Sequence, residues 1–133
     1  MYTEVTVNHL HASIEGEDED QYILIVLDKG VDTNDYIMMQ KALNYTEDDI
    51  ELGMNKVYIE CKSQRFSTYG GIKKINLKDG LIEIFVDKET ATKLNMEEHI
   101  LVMFPQNHIN YPDIKKYLKL MVESETNIEL NIV

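Results

Sequence analysis

Apolar and polar positions alternate over most of the chain, and the period of the pattern changes along it. Residues 2–14 alternate loosely and are rich in Thr, Val and Ile, which predicts a first strand. The run Glu15-Gly-Glu-Asp-Glu-Asp20 ends it, because carboxylates packed this densely repel one another and stay solvated in a loop. Tyr22-Ile-Leu-Ile-Val-Leu27 is continuously apolar and predicts a central strand buried on both faces. The turn-rich stretch Asp28 to Asp35 separates it from a third strand over Tyr36 to Leu43. Thr46-Glu-Asp-Asp49 has the chemistry of a helix start: the threonine hydroxyl accepts an amide proton and the acids suit the positive end of the dipole. Gly53 supplies a left-handed stop. Lys56 to Cys61 alternates again, with Val57, Ile59 and Cys61 on one face.

A further strand is expected over Tyr69 to Lys78, then a tight Asp79-Gly80 turn and a return strand over Leu81 to Val86. Asp87 caps a short helix over Lys88 to Leu94 that stops at Asn95 in a left-handed conformation. Ile100 to Phe104 reads as a strand halted by Pro105. Behind Pro112, Ile114, Tyr117, Leu118, Met121 and Val122 recur at helical spacing, which makes one apolar face. Ile128, Leu130 and Ile132 alternate in the tail and predict an edge strand. The expected fold is α+β: a mainly antiparallel sheet with one amphipathic C-terminal helix packed on it and one or two short helices.

Length adds that 1–133 is expected to be one domain, with no linker and no repeat. Charge narrows the function. The chain has 13 Lys and Arg against 24 Asp and Glu, a formal charge of −11, and Arg65 is its sole arginine. That balance argues against nucleic acid and anionic membranes as partners, since both are recognised by basic surfaces. The beginning MYTEVTVNHL lacks the basic and apolar regions of a signal peptide, so a cytoplasmic protein is expected.

Catalytic chemistry is not legible. GxSxG, P-loop, HExxH and GxGxxG patterns are absent, and no cofactor or metal is expected. His9 and His11 share a strand face, but two ligands are too few for a metal, and His99 or His108 would have to join them through the fold. The Asp28 to Asp35 stretch lacks the frame and closing glutamate of a calcium loop. Cys61, the sole cysteine, sits on an apolar face and reads as a buried hydrophobe. Gly70-Gly71 reads as a bulge or bend within a sheet rather than a ligand approach point. Met38, Met39 and Met54 read as core fillers, and Tyr45, Tyr69 and Tyr111 fall near loops where they could anchor an interface. Two acidic clusters stand out: Asp18, Glu19 and Asp20, and then Glu47, Asp48, Asp49 and Glu51. A charge of −11 exceeds the magnitude of about 2–8 that solubility asks of a small domain, which leaves two readings open: these residues face a basic partner, or they are plain solvated surface.

The order of several segments carries a resemblance. Met39-Gln-Lys-Ala-Leu43, Asp48-Asp-Ile-Glu-Leu-Gly53 and Val57-Tyr-Ile-Glu60 are followed by Tyr69-Gly-Gly-Ile72, Leu77 to Ile84 with its Asp-Gly turn, and Glu89-Thr-Ala-Thr-Lys-Leu94. This order resembles the immunity protein 10 family of bacterial polymorphic toxin systems, over roughly residues 20–122. The resemblance implies a cytoplasmic antidote that binds a cognate toxin domain, and it brings no catalytic residues with it. A basic nuclease is the toxin type that acidic clusters would suit. The competing expectation is a small ligand- or metal-binding α+β module with modest hydrolytic activity, resting on Gly70-Gly71 and the His9/His11 pair. A third is self-assembly through the C-terminal strand edge.

Overall fold

The computed structural model describes residues 1–30, 35–125 and 127–133. The centre of the Asp28 to Asp35 turn, weighed above as a calcium loop, lies outside them. The described residues form ten strands and three α-helices in the order β1 (Thr3–Thr6), β2 (His9–Glu15), β3 (Tyr22–Asp28), β4 (Tyr36–Ala42), α1 (Glu47–Glu51), β5 (Tyr58–Cys61), β6 (Ser67–Tyr69), β7 (Ile72–Lys78), β8 (Leu81–Val86), α2 (Lys88–Leu94), β9 (His99–Met103), α3 (Tyr111–Glu123) and β10 (Glu129–Ile132). The fold is α+β, as expected, but the strands divide into two sheets rather than one. The first runs β1-β9-β8-β7-β10 and the second β2-β3-β4-β5-β6. Pairing is antiparallel throughout the second sheet, while the first has parallel pairs at its two ends, β1 with β9 and β10 with β7.

Two crossings between the sheets correct the sequence expectations. The single strand expected over residues 2–14 is two strands. Val7 donates its N–H to the Met103 carbonyl in the first sheet (2.8 Å), and the next residue, Asn8, donates to the Asp28 carbonyl in the second (2.9 Å). The sign of this lies in the parity of the buried positions: Val5 and Val7 are buried before the crossing, Leu10 and Ala12 after it. The strand expected over Tyr69 to Lys78 is likewise two. Gly70 donates to the Val57 carbonyl (2.8 Å) on the second sheet, and the Gly71 carbonyl accepts from Asp87 (3.0 Å) on the first. Both glycines have positive φ, 81° and 89°. They form the corner between sheets rather than a bend inside one. A Cβ at Gly71 would stand 1.7 Å from the Thr90 hydroxyl oxygen, so α2 can lie this close only because glycine has no side chain.

One core joins the layers. Ile23, Ile25 and Leu27 of β3 and Ile37 and Met39 of β4 bury their side chains with Ile75, Leu77, Ile82, Ile84, Ile100 and Val102 of the first sheet. β3 is therefore buried on one face only, since Tyr22, Leu24 and Val26 remain half-exposed on the other. α3 buries Ile114, Leu118 and Met121 against β2, β3 and β10. Its first turn is tied to β2 by the Asn110 side chain, which donates to the Leu10 carbonyl (2.8 Å). The local predictions hold: Thr46 and Asp87 cap α1 and α2, Asn95 is left-handed, and β10 forms at an edge.

Candidate acidic docking face

The acidic clusters sit on two segments that the second sheet draws together. Asp18, Glu19 and Asp20 form a short 3-10 turn before β3, with Asp18 at φ 52°. Glu47, Asp48 and Asp49 open α1, and Glu51 closes it. The short α1 is held by a reciprocal cap: the Thr46 hydroxyl accepts from the Asp49 N–H (3.1 Å), and the Thr46 N–H donates to the Asp49 carboxylate (2.9 Å). Tyr22 at the start of β3 pairs with Ala42 at the end of β4, and Leu43 donates to the Gln21 carbonyl (3.0 Å). The segment before β3 and the segment after β4 thus run side by side.

Glu19, Asp20 and Asp49 line one depression of about 240 Å³. Its remaining lining includes Tyr22, Gln40, Met54, Tyr58 and Tyr69, on the outer face of the second sheet and beyond α1. Asp18, Glu47, Asp48 and Glu51 are exposed and do not line it. The stretch of chain from residue 43 to 54 also carries exposed hydrophobics, Leu43, Tyr45, Ile50, Leu52 and Met54, with Leu52 72% exposed. Met54 is therefore a surface residue rather than core filler. Met38 is half-exposed on the outer face, and only Met39 of the three is fully buried.

The floor of the depression is braced along its own face. Glu60 is buried on the outer side of β5, and its carboxylate accepts from the Tyr36 hydroxyl (2.5 Å) and the Tyr58 hydroxyl (2.6 Å). Burial, followed by this carboxylate, pushes the Tyr36 phenol up to about 12 and raises Tyr58 as well. Tyr58 in turn packs on Tyr69, with ring centroids 5.1 Å apart. Sequence reasoning missed this Tyr–Glu–Tyr group. Gln40 beside Tyr58 and Met38 beside Glu60 are cross-strand pairings, which spacing along one strand does not reveal.

A second feature escaped the sequence. Lys41 lies on the inward side of β4, 1% exposed, and its ammonium has no hydrogen-bond partner among the described residues. The ammonium lies over the Tyr45 ring, 4.9 Å from the centroid. Burial lowers its pKa; Glu125 opposes that effect and Lys56 adds to it. Glu125 is itself buried and accepts from the Val57 N–H (2.8 Å).

The other candidates disperse. His9 and His11 are exposed on β2, and His11 bonds Ser13. His99 pairs with Glu83 (2.8 Å) and stacks on Phe85, while His108 bonds the Asn8 carbonyl (3.0 Å). Among the described residues, no group of three or more His, Cys, Asp or Glu is placed to hold a metal ion. Cys61 is fully buried and its thiol is pushed up to about 12 by desolvation, an unreactive state. Tyr111 is half-buried against Phe104. No helix among the described residues is long and apolar enough to cross a membrane.

A family model described as immunity protein 10 matches residues 6–111. The chain belongs to the immunity protein 10 family. The match takes in the whole second sheet, both acidic clusters and the braced tyrosines, and it ends at the first residue of α3. Membership assigns this immunity protein a toxin-neutralising role in general terms, with a toxin as its partner. No curated protein and no solved structure matches the chain.

Proposed function

We propose that this immunity protein, acting as one domain over residues 1–133, neutralises a cognate polymorphic or contact-delivered toxin domain in the cytoplasm. On this reading it works as a stoichiometric binding protein rather than an enzyme. The observation that carries the docking surface is the convergence of Glu19, Asp20 and Asp49 on one concavity, beside a stretch of chain rich in exposed hydrophobics. Apolar patches on a soluble surface mark protein contacts, and a ring of like charge selects a partner of opposite sign. Asp18, Glu47, Asp48 and Glu51 extend the negative field around that concavity and steer the encounter. A basic nuclease domain is the toxin that fits such a face, with carboxylates taking the place of substrate phosphates.

The test is co-expression with the toxin domain encoded beside the gene, followed by association kinetics at several salt concentrations. Rescue of growth is expected, with an association rate that falls by about tenfold or more from low to physiological salt. The double reversal Asp20→Lys/Asp48→Lys should slow association without unfolding the domain, which the thermal midpoint checks. Rescue with a salt-independent rate would remove the electrostatic face and leave toxin binding to another surface.

A further inference from the structure

The depression carries chemistry more specific than negative charge. Its floor is aromatic, with Tyr22, Tyr58 and Tyr69, and its wall carries the carboxylates of Glu19, Asp20 and Asp49. Among the described residues, no lysine, arginine or histidine forms an ion pair with any of these three acids. The Asp49 carboxylate accepts from the Thr46 N–H, and the Tyr58 hydroxyl is fixed by Glu60, two residues along the same face of β5. The floor is therefore preorganised and the wall charge has no counterpart within the described chain. A flat cation with an apolar stem satisfies both surfaces at once: the rings attract its face and stem, and the carboxylates accept from its edge.

We infer that this depression receives one arginine side chain from the surface of the protein partner. The identity of that partner rests on the immunity reading above, but the pocket's selectivity does not. Charge complementarity selects the occupant. A carboxylate-bearing or neutral side chain would leave the wall unpaired, and an aliphatic one would bury polar atoms of the wall without hydrogen bonds. The depression thus acts as a specificity pocket within a wider acidic face.

The experiment uses the full chain, labelled with nitrogen-15, titrated with N-acetyl-arginine amide. The neutral isostere N-acetyl-citrulline amide and N-acetyl-lysine amide serve as comparisons. Saturating shifts are expected at the amides of Gln21, Tyr22, Asn44, Tyr58 and Tyr69 with arginine, weaker ones with lysine, and none with citrulline. Tyr69→Ala removes a 42%-exposed ring that packs on Tyr58, and should weaken arginine binding roughly two- to fivefold while the amide spectrum stays that of a folded chain. Asp20→Asn/Asp49→Asn keeps the cap geometry and should weaken it further. Equal shifts with citrulline, or shifts spread over all acidic segments, would overturn the pocket. Localised arginine shifts without toxin rescue would keep the pocket and reject the immunity reading. Rescue that survives both variants unchanged, with no arginine shifts, would do the reverse.

Discussion

Lys41 is the residue whose position is hardest to reconcile with its chemistry. It stands in the inward row Ile37, Met39, Lys41, and its ammonium finds no hydrogen bond among the described residues. A buried, unpaired polar group costs roughly 1–3 kcal/mol in mutational data. Lys41→Met should therefore raise stability at neutral pH by about that much, measured as a shift in urea midpoint. The pH dependence follows from the lowered pKa. Between the depressed native value and the ordinary 10.5, the unfolded chain holds more protons at this site than the folded one. Stability from Lys41 thus rises with pH over that window, and the gap between variant and wild type should narrow as pH approaches 10.5. A constant gap, or a variant less stable than wild type at pH 7, would show that the Tyr45 contact and Glu125 already compensate the charge. Local chemistry at the residue scale was otherwise legible. Thr46, Asp87 and Asn95 act where read, because a cap needs only residues within one turn of it. Met54 was misread because hydrophobicity does not say which way a side chain faces.

Elements were legible where one stretch of chain supplies both partners. The Asp79-Gly80 hairpin and α3 formed as predicted, since turn geometry and helical period are local. Strand ends at the sheet corners were not. Each break spans only one or two residues, a bend at Asn8 and the positive-φ pair Gly70-Gly71, and the apolar alternation resumes at once, so composition alone runs straight across both. The second corner can be tested by a pair of substitutions. Gly70→Ala places a Cβ 3.6 Å from the Lys56 side chain, so only its φ of 81° is penalised, at about 1–2 kcal/mol. Gly71→Ala pays that and also drives a Cβ against the buried Thr90 side chain, 1.7 Å from its hydroxyl oxygen. It should cost roughly 3 kcal/mol or more, by analogy with overpacked cores, and α2 should loosen first in hydrogen exchange. Equal losses for the two variants would mean that Thr90 moves aside freely.

At the scale of the molecule, a charge of −11 is a standing repulsion within a small volume. Raising ionic strength from about 0.01 M to about 0.15 M shortens the screening length from roughly 30 Å to 8 Å. The urea midpoint of the free protein should rise over that range. A flat response would mean that the carboxylates are already too far apart to repel measurably. The same screening should weaken association with a basic partner, so salt is expected to act in opposite directions on folding and on binding.

The sequence by itself determined the α+β class, the order and types of most elements, the caps, the strong negative charge and the family resemblance. Each of these depends on composition or on residues near one another in the chain. Only the tertiary structure decided that the strands form two sheets, that Lys41 is buried, and that Glu19 and Asp20 meet Asp49 over Tyr22, Tyr58 and Tyr69. Those outcomes depend on which strands pair across long separations. That choice is made by the total apolar area a topology buries, a property of the whole chain that no single segment expresses.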